Sequence, residues 1–419
     1  MEEFSALGLS PELEKAVLRL GFEHPTEIQA KSIPAALAGK DIIATSATGS
    51  GKTLAFGAVI LQKMVHSPGI HSPGIKALIL TPTRELAVQI QQAFHDFSRE
   101  RPVKVALVFG GVSIEPQIHE LRSADIVVAT PGRLLDHLER GTVSLAHVRY
   151  LVLDEADRML DMGFFDDVRK IISQCPYQRQ TMLFSATMPP EVIELSQRFL
   201  KDPVKVKAEV YVDPTKLTHY YYDVDSHMKL SLLVHLLKKE HPGLVMVFCN
   251  SRDATNYVEK ALKLSGIDAV AIHGGLSQNR RLSIIERFHN KNTFVLVCTD
   301  VAARGLDIPG VSHVYNYDLP SDSKQYMHRV GRTARAGESG KAVNLLSRRD
   351  HDNFSRILRD YSVNIEKLVV PEVKRVYVPR AREKARYPKR RNRRERGRFP
   401  QRESSPKSRF GQRRFGPKR

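Results

Sequence analysis

Three short stretches combine residue types at spacings that suit chemistry on a nucleoside triphosphate. The first is Ala47-Thr48-Gly49-Ser50-Gly51-Lys52-Thr53, which follows the apolar run Ile42-Ile43-Ala44 and opens a helical pattern over 54–64. Glycines here let Thr48, Gly49, Ser50 and Gly51 present backbone N–H groups to phosphate oxygens at a helix N-terminus. Lys52 would reach the β- and γ-phosphates of ATP, and the Thr53 hydroxyl would bind Mg²⁺. A full phosphate-loop pattern has Gly at 46, where this chain has Ser46, so taken alone a chance glycine turn stays open. The second stretch is Asp154-Glu155-Ala156-Asp157, directly after the apolar run 150–153. A carboxylate ending a buried strand can organise Mg²⁺, with Asp154 and Glu155 holding it partly through water and Glu155 deprotonating the attacking water. The competing reading is an acidic first turn of the helix that continues through Arg158. The third is His328-Arg329-Val330-Gly331-Arg332-Thr333-Ala334-Arg335. Arginines three apart would share one helical edge, and their guanidinium forks suit phosphate. Arg332 and Arg335 could stabilise charge building on a γ-phosphate. An exposed basic helix is the plainer alternative.

Such groups need rigid elements. Apolar runs of three to five residues recur at 77–80, 105–109, 126–129, 150–153 and 182–184, and again at 244–248, 269–272, 294–298 and 313–317. Strands apolar on both faces belong to buried parallel sheets. Helical patterns lie between them, the first opening at Ser10-Pro11 as N-cap and N1. Alternating strands and helices predict an α/β fold of two tandem domains with parallel sheets, each strand followed by a right-handed crossover. The boundaries expected are 1–207, a linker at 208–217, 218–370, and a tail at 371–419. The wider stretch 202–217 carries two Asp-Pro pairs and no helical period, as a domain edge does. HSPGI occurs twice, at 66–70 and 71–75, and reads as a surface loop.

Composition limits the classes available. The 419 residues are 42% hydrophobic, enough to bury a core. No run of about 18 apolar residues exists, and the acidic N-terminus has no apolar leader core. Three widely spaced cysteines form neither a disulfide framework nor a zinc knuckle and suit a reducing, cytoplasmic setting. The net charge of +19 is unevenly spread: residues 371–419 hold 20 Lys and Arg against 4 acidic residues. That segment lacks the aliphatics to fold alone and is expected to be disordered. Phe399, Phe410 and Phe415 among its arginines favour a nucleic-acid partner over a merely solubilising tail, and protein docking is a further alternative.

Taken in order, the motifs identify a family. Gly21-Phe22-Glu23-His24-Pro25-Thr26-Glu27-Ile28-Gln29 precedes the phosphate loop. Pro82-Thr83-Arg84-Glu85-Leu86-Ala87, Gly110-Gly111, Thr130-Pro131-Gly132-Arg133, Asp154 to Asp157 and Ser185-Ala186-Thr187 follow it. Val247-Phe248-Cys249-Asn250, then Thr299 through Asp307, then the arginine row complete the series. Over residues 4–350 the chain resembles the DEAD-box RNA helicases, a superfamily 2 group of ATP-dependent enzymes with two RecA-like domains.

The resemblance implies further roles. Gln29 matches the glutamine that reads adenine, and Phe4 the aromatic that stacks on it, although Phe4 could equally be a hydrophobic anchor. Ser185 and Thr187 match the segment coupling ATP state to RNA, Asp307 the ribose contact, and Gly305 a position near the γ-phosphate. Arg332 and Arg335 match the finger positions. Sugar–phosphate contacts to RNA fall to Thr83, Arg84, Gly111, Thr130, Gly132 and Arg133, with Asn250, Arg252, Gly274 and Thr299 continuing the track. Any of these could instead be a loop or capping residue. Ser46 stands where the family usually has alanine, and Ala334 where many members have glycine; neither removes a charged or metal-binding group. The expected activity is ATP hydrolysis driving local unwinding of short RNA duplexes or remodelling of RNA–protein complexes, by a monomer with possible ribonucleoprotein partners. An RNA clamp that uses ATP only to lock, and a DNA helicase, are the rival readings.

Overall fold

Runs rich in Val, Ile and Leu become central strands because both faces of each are covered. The computed structural model describes residues 3–46, 49–66, 74–208, 217–303, 306, 308, 310–334, 339–361 and 364–377. In the first lobe the strands are β1 (Ile42–Thr45), β2 (Ala77–Leu80), β3 (Val105–Val108), β4 (Ile126–Ala129), β5 (Tyr150–Leu153), β6 (Gln180–Ser185) and β7 (Val204–Lys207). In the second they are β8 (Leu217–Asp223), β9 (Leu244–Phe248), β10 (Ala269–Ile272), β11 (Val295–Cys298), β12 (Val311–Asn316), β13 (Gly340–Leu346) and β14 (Glu366–Lys367). Successive side chains along β2 divide between two apolar clusters: Ala77 and Ile79 join one, Leu78 and Leu80 the other. Each large buried aliphatic contributes about 1.5–3 kcal/mol.

Both sheets are wholly parallel, in orders β3-β4-β2-β5-β6-β1-β7 and β10-β11-β9-β12-β13-β8-β14. The second order is the first advanced by seven, so the lobes share one wiring although the sequence carries no domain-scale repeat. Register brings the carboxyl ends level. Leu80 sits opposite Ala129 and Leu153, Val108 opposite Ala129, and Thr45 opposite Ser185. Every loop leaving those ends therefore reaches one edge of the sheet, where open α/β sheets bind ligands.

Several expectations change in detail. The stretch read as a domain edge from 202 contains β7, whose Val-Lys-Val-Lys alternation fits an exposed edge paired to β1. The compact unit extends to Tyr377, so residues 371–377 belong to the body and not to the tail. There Val376 N donates to the buried Ser231 hydroxyl at 3.0 Å, just beyond Leu368, whose N donates to Tyr221 O. Ser10 is the extended N-cap of the helix Pro11–Arg19, but its hydroxyl makes no capping bond. The HSPGI repeat (save its ends), most of the linker and the tail from 378 lie outside the described residues. Among the described residues no helix is long and apolar enough to cross a membrane.

Candidate active site and nucleic-acid interface

The phosphate loop links β1 to the helix Lys52–His66. Gly49 and Gly51 adopt φ of +83° and +87°, the left-handed region that glycine enters without penalty. A Cβ on Gly51 would lie 2.3 Å from Gln29 Nε2. The loop is pinned from three sides. Thr26 Oγ1 donates to Ser50 O at 2.8 Å, Gln29 Nε2 donates to Gly51 O at 3.1 Å, and the Ser46 and Ser50 hydroxyls lie 2.9 Å apart. Ser46 thus contributes a loop contact that alanine could not. Thr53 is half-buried in the first turn of the helix; Thr48 lies outside the described residues. Lys52 is 6% exposed and its Nζ has no hydrogen-bond partner. An ammonium buried without a partner is costly, so this atom fits an anionic ligand.

Asp154 and Glu155, at the end of β5, are both buried. Burial pushes Asp154 up to about 6, against the pull of Lys52 and with a further push from Glu155. A divalent cation would reverse that shift. Glu155 behaves oppositely. Burial raises its pKa, but Arg158, Lys52 and Arg332 outweigh burial and hold it below the usual carboxylate range. Arg158 Nη1 donates to Glu155 Oε2 at 2.9 Å, an ion pair that the sequence reading missed although the two residues are three apart. Glu155 also has φ +52°, strained for a residue with a side chain. Among the described residues no cluster of three or more His, Cys, Asp or Glu could hold a metal. The carboxylates present fit a cation kept largely hydrated and shared with phosphates.

Asp157 ties this strand end to the next. Its Oδ2 accepts from Thr187 N at 2.8 Å and Thr187 Oγ1 at 2.7 Å, while the Ser185 hydroxyl accepts from Asp157 N at 3.1 Å and donates to Thr187 O. Burial raises the Asp157 pKa, and the Thr187 and Ser185 hydrogen bonds more than offset it.

The arginine row does not share one helical edge. The helix Ser323–Val330 stops at Gly331, before Arg332. Arg329, 1% exposed, turns into its own lobe, donating to Asp300, Asn316 Oδ1, Asp318 O and Asn250 Oδ1. Arg332 alone of the described pair faces Glu155, its Nε held by His328 O at 3.2 Å and its Nη1 by Leu306 O. Arg335, Gly305 and Asp307 lie outside the described residues. Ala334 has φ +54°, which explains why glycine suits that position.

Of the two adenine assignments, that of Phe4 changes. Phe4 is 2% exposed within an apolar cluster, so it offers no open ring face for stacking; it anchors the N-terminal turn. Gln29 is 1% exposed, with Oε1 accepting from Thr26 N and Nε2 donating to Gly51 O, so its amide also caps its helix and steadies the loop.

On the remaining strand ends the lobes repeat one arrangement. Thr83 caps the helix Arg84–Phe97 by accepting from Leu86 N, and Ser251 caps Arg252–Leu264 by accepting from Ala254 N. Arg84 then lies over Gly111, where a Cβ would sit 2.2 Å from Nη1, and Arg252 lies beside Gly274 at 3.5 Å from such a Cβ. Gly111 (φ +79°) is therefore required by close approach. Gly132 has nothing near its missing Cβ, which leaves its backbone open to a ligand. Arg133 donates to Val112 O at 3.1 Å through Nη2, while its buried Nη1 has no partner. Thr130 and Thr299 are buried at their strand ends. Asn250 spends its amide on Leu319 O and Arg329, and its backbone N–H donates to Asp318 Oδ2 at 3.0 Å.

The lobes meet along this edge. Glu85 Oε1 accepts from Gln278 Nε2 at 2.8 Å and Arg281 Nη2 at 3.1 Å, and Arg84 Nη1 donates to Gln278 Oε1 at 3.3 Å. No sequence signal marked Gln278 or Arg281, because their partners lie in the other lobe.

Comparison with known proteins agrees with this geometry. The DEAD/DEAH box helicase family matches residues 26–195, and the helicase conserved C-terminal domain matches 228–337. The chain is 43% identical over 374 residues to a DEAD-box ATP-dependent RNA helicase, CshA, of Geobacillus kaustophilus, covering 88% of this chain and 79% of that protein. Among solved structures it resembles yeast (S. cerevisiae) Dbp5 bound to RNA and ADP-BeF3, at 29% identity and a TM-score of 0.78 over 88% of this chain and 96% of that one. It also resembles a DEAD box protein of Methanococcus jannaschii, at 40% identity and a TM-score of 0.54 over 87% and 99%. With two sheets of one wiring, a lysine awaiting an anion beside paired carboxylates, and matches over both lobes, this chain belongs to the DEAD/DEAH box helicase family.

Proposed function

We propose that the protein is an RNA-dependent ATPase that uses ATP to separate short RNA duplexes or remodel RNA–protein complexes. The observation that carries the reading is a pair of buried cationic atoms without hydrogen-bond partners, Lys52 Nζ and Arg133 Nη1, in the first turns of helices that leave one sheet edge. The first suits a triphosphate and the second an RNA phosphate. ATP would bind between the lobes, with Lys52 on its phosphates, Gly49 to Gly51 and Thr48 donating backbone N–H groups, and Asp307 and Gly305 completing the pocket. Mg²⁺, held by Thr53 and Asp154 with water, would supply charge neutralisation at the phosphates. Glu155 orients and deprotonates the attacking water; its tie to Arg158 fixes the carboxylate and keeps it ionised. Arg332, with Arg335, meets the charge developing on the transferred phosphoryl group.

RNA would run over Thr83, Arg84, Gly111, Thr130, Gly132 and Arg133, then Asn250, Arg252, Gly274 and Thr299. Contacts of this kind to sugar and phosphate ignore base identity. Asp157, Ser185 and Thr187 would carry the state of the nucleotide site across the strand ends. The arginine-rich tail would add sequence-independent affinity, and the enzyme would act as a cytoplasmic monomer in two domains divided near 207–218.

RNA-stimulated ATPase and displacement of a short RNA strand test this together. Glu155→Gln should bind ATP and RNA but not turn over, and Lys52→Ala should lose ATP binding. Wild-type hydrolysis by Glu155→Gln would overturn the catalytic assignment. ATP-dependent RNA binding without strand release would point to a clamp, and equal stimulation by DNA to a DNA helicase.

A further inference from the structure

Behind the RNA-facing residues of the first lobe lies a histidine with no exposed surface and no part in the function proposed so far. His137 belongs to the helix Pro131–Glu139, whose first turn carries Gly132 and Arg133. Its Nε2 is 3.4 Å from Gln117 Oε1, at the long end of a hydrogen bond, and its Nδ1 is 2.8 Å from Thr142 Oγ1. Gln117, 5% exposed, sits in the neighbouring helix Glu115–Leu121. Its Nε2 donates to two main-chain carbonyls, Phe109 O at 3.1 Å and Ser113 O at 3.2 Å. Those carbonyls flank the Gly110-Gly111 loop.

Hydrogen-bond chemistry fixes the roles. Two carbonyls can only be met by the amide NH₂, so Oε1 must face His137. That oxygen only accepts, so Nε2 of the imidazole carries the hydrogen, and Nδ1 shares the Thr142 hydroxyl hydrogen with His137 O, 3.1 Å from that hydroxyl. One neutral histidine and one glutamine thus satisfy a chain of buried groups running from the loop 109–113 to the helix that begins at Pro131. The outer side of the same loop is held by RNA-facing groups: Arg133 Nη2 bonds Val112 O, and the Arg84 guanidinium rests on Gly111. The loop is therefore clasped from inside by Gln117 and from outside by Arg133, and His137 links the two clasps by meeting Gln117 from the helix it shares with Arg133.

We propose that Gln117 and His137 are positioning residues for RNA: they touch no substrate, but fix Gly111, Arg84 and Arg133 relative to one another so that one backbone can meet all three. The proposal rests on the assignment of Arg84, Gly111 and Arg133 to the RNA track. A polar pair here is costly to bury unless both partners are present, whereas an apolar pair would fill the volume at lower cost, so its presence calls for a geometric reason.

The test is the RNA titration of ATPase rate in four variants of the full chain: Gln117→Leu, His137→Leu, His137→Gln and Arg133→Ala. Leucine keeps approximate volume and removes the bonds; glutamine at 137 can still donate to Gln117. Loss of one buried hydrogen bond predicts about a tenfold rise in the KM for RNA for both leucine variants. KM for ATP and kcat at saturating RNA should stay within about twofold, and His137→Gln should recover most of the RNA affinity. A purely structural role would instead lower kcat and melting temperature together with the KM for RNA unchanged, and that result overturns the proposal. If a leucine variant fails to fold, His137→Gln with a wild-type KM for RNA supports positioning and one raised as far as Arg133→Ala overturns it. If Arg133→Ala raises the KM for RNA while both leucine variants do not, the positioning role fails but the RNA track stands. If Arg133→Ala also leaves it unchanged, the RNA track itself fails and the proposal with it.

Discussion

Glu85→Gln should separate closure of the lobes from folding. Glu85 is 4% exposed and its Oε1 receives both Gln278 and Arg281 from the opposite lobe. Glutamine keeps an acceptor for Gln278 but leaves the Arg281 charge unpaired, and Arg281 Nε already lacks a partner. At the observed 3.1 Å the Coulomb attraction is about 5 kcal/mol with an effective dielectric of about 20. Most of this is offset, because both groups regain water when the lobes part; a charged hydrogen bond nets about 1.5–3 kcal/mol. The bond exists only across the lobes, so its loss falls on the closed state and not on either fold. The expected result is a drop of about 10- to 150-fold in RNA-stimulated kcat/KM and in strand displacement. The melting temperature should stay within about 2 °C, and ATP affinity without RNA should be unchanged. A double-mutant cycle sharpens the test: Glu85→Gln with Arg281→Gln should be little worse than either alone. Wild-type unwinding by Glu85→Gln, or fully additive losses in the double variant, would refute the argument.

Other outcomes follow from the same geometry. Asp157→Asn removes the charge that holds Thr187 and should leave ATP binding intact while lowering unwinding more than hydrolysis, measured as strands released per ATP consumed. His219 is pushed down to about 4 by burial, and its Nδ1 lies 3.0 Å from the Tyr326 hydroxyl. A base with a lowered folded pKa binds more protons unfolded, so its contribution is present above its ordinary pKa and is lost as pH falls from about 6.5 towards about 4. His219→Gln should flatten the fall of melting temperature across that window, and an unchanged slope would exclude His219 as a source. Leu153→Ala, in the first lobe's core, should cost about 2–5 kcal/mol by urea unfolding. Removing residues 378–419 should weaken RNA binding and reduce its salt dependence; unchanged affinity at low salt would exclude a tethering role.

Central strands were readable because their cause is local. A strand covered on both faces must be apolar at every position, and β2, β4, β5 and β9 appear in the sequence at the bounds the structure gives them. Edge strands were harder to read. β7 alternates Val and Lys because one face meets solvent, and β14 is two exposed residues held by pairing to β8. The phosphate loop and the acidic pair were legible for a similar reason, since a strand end followed by a helix start sets where Lys52, Asp154 and Glu155 can point.

The inward turn of Arg329, the burial of Phe4 and the capture of Gln29 by Thr26 and Gly51 were not legible. Each depends on which neighbour fills the space around a side chain, and spacing along the chain carries no record of that. The pairing of Glu85 with Gln278 joins residues 193 apart. The Gln117–His137 clasp needs two helices packed on one loop. By itself the sequence determined the candidate catalytic residues, the strands that carry them and the family they belong to, because these follow from short-range pattern. Only the tertiary structure decided which polar groups are spent on one another and which, like Lys52 Nζ and Arg133 Nη1, are left for a ligand, because hydrogen-bond partners are set by packing in three dimensions.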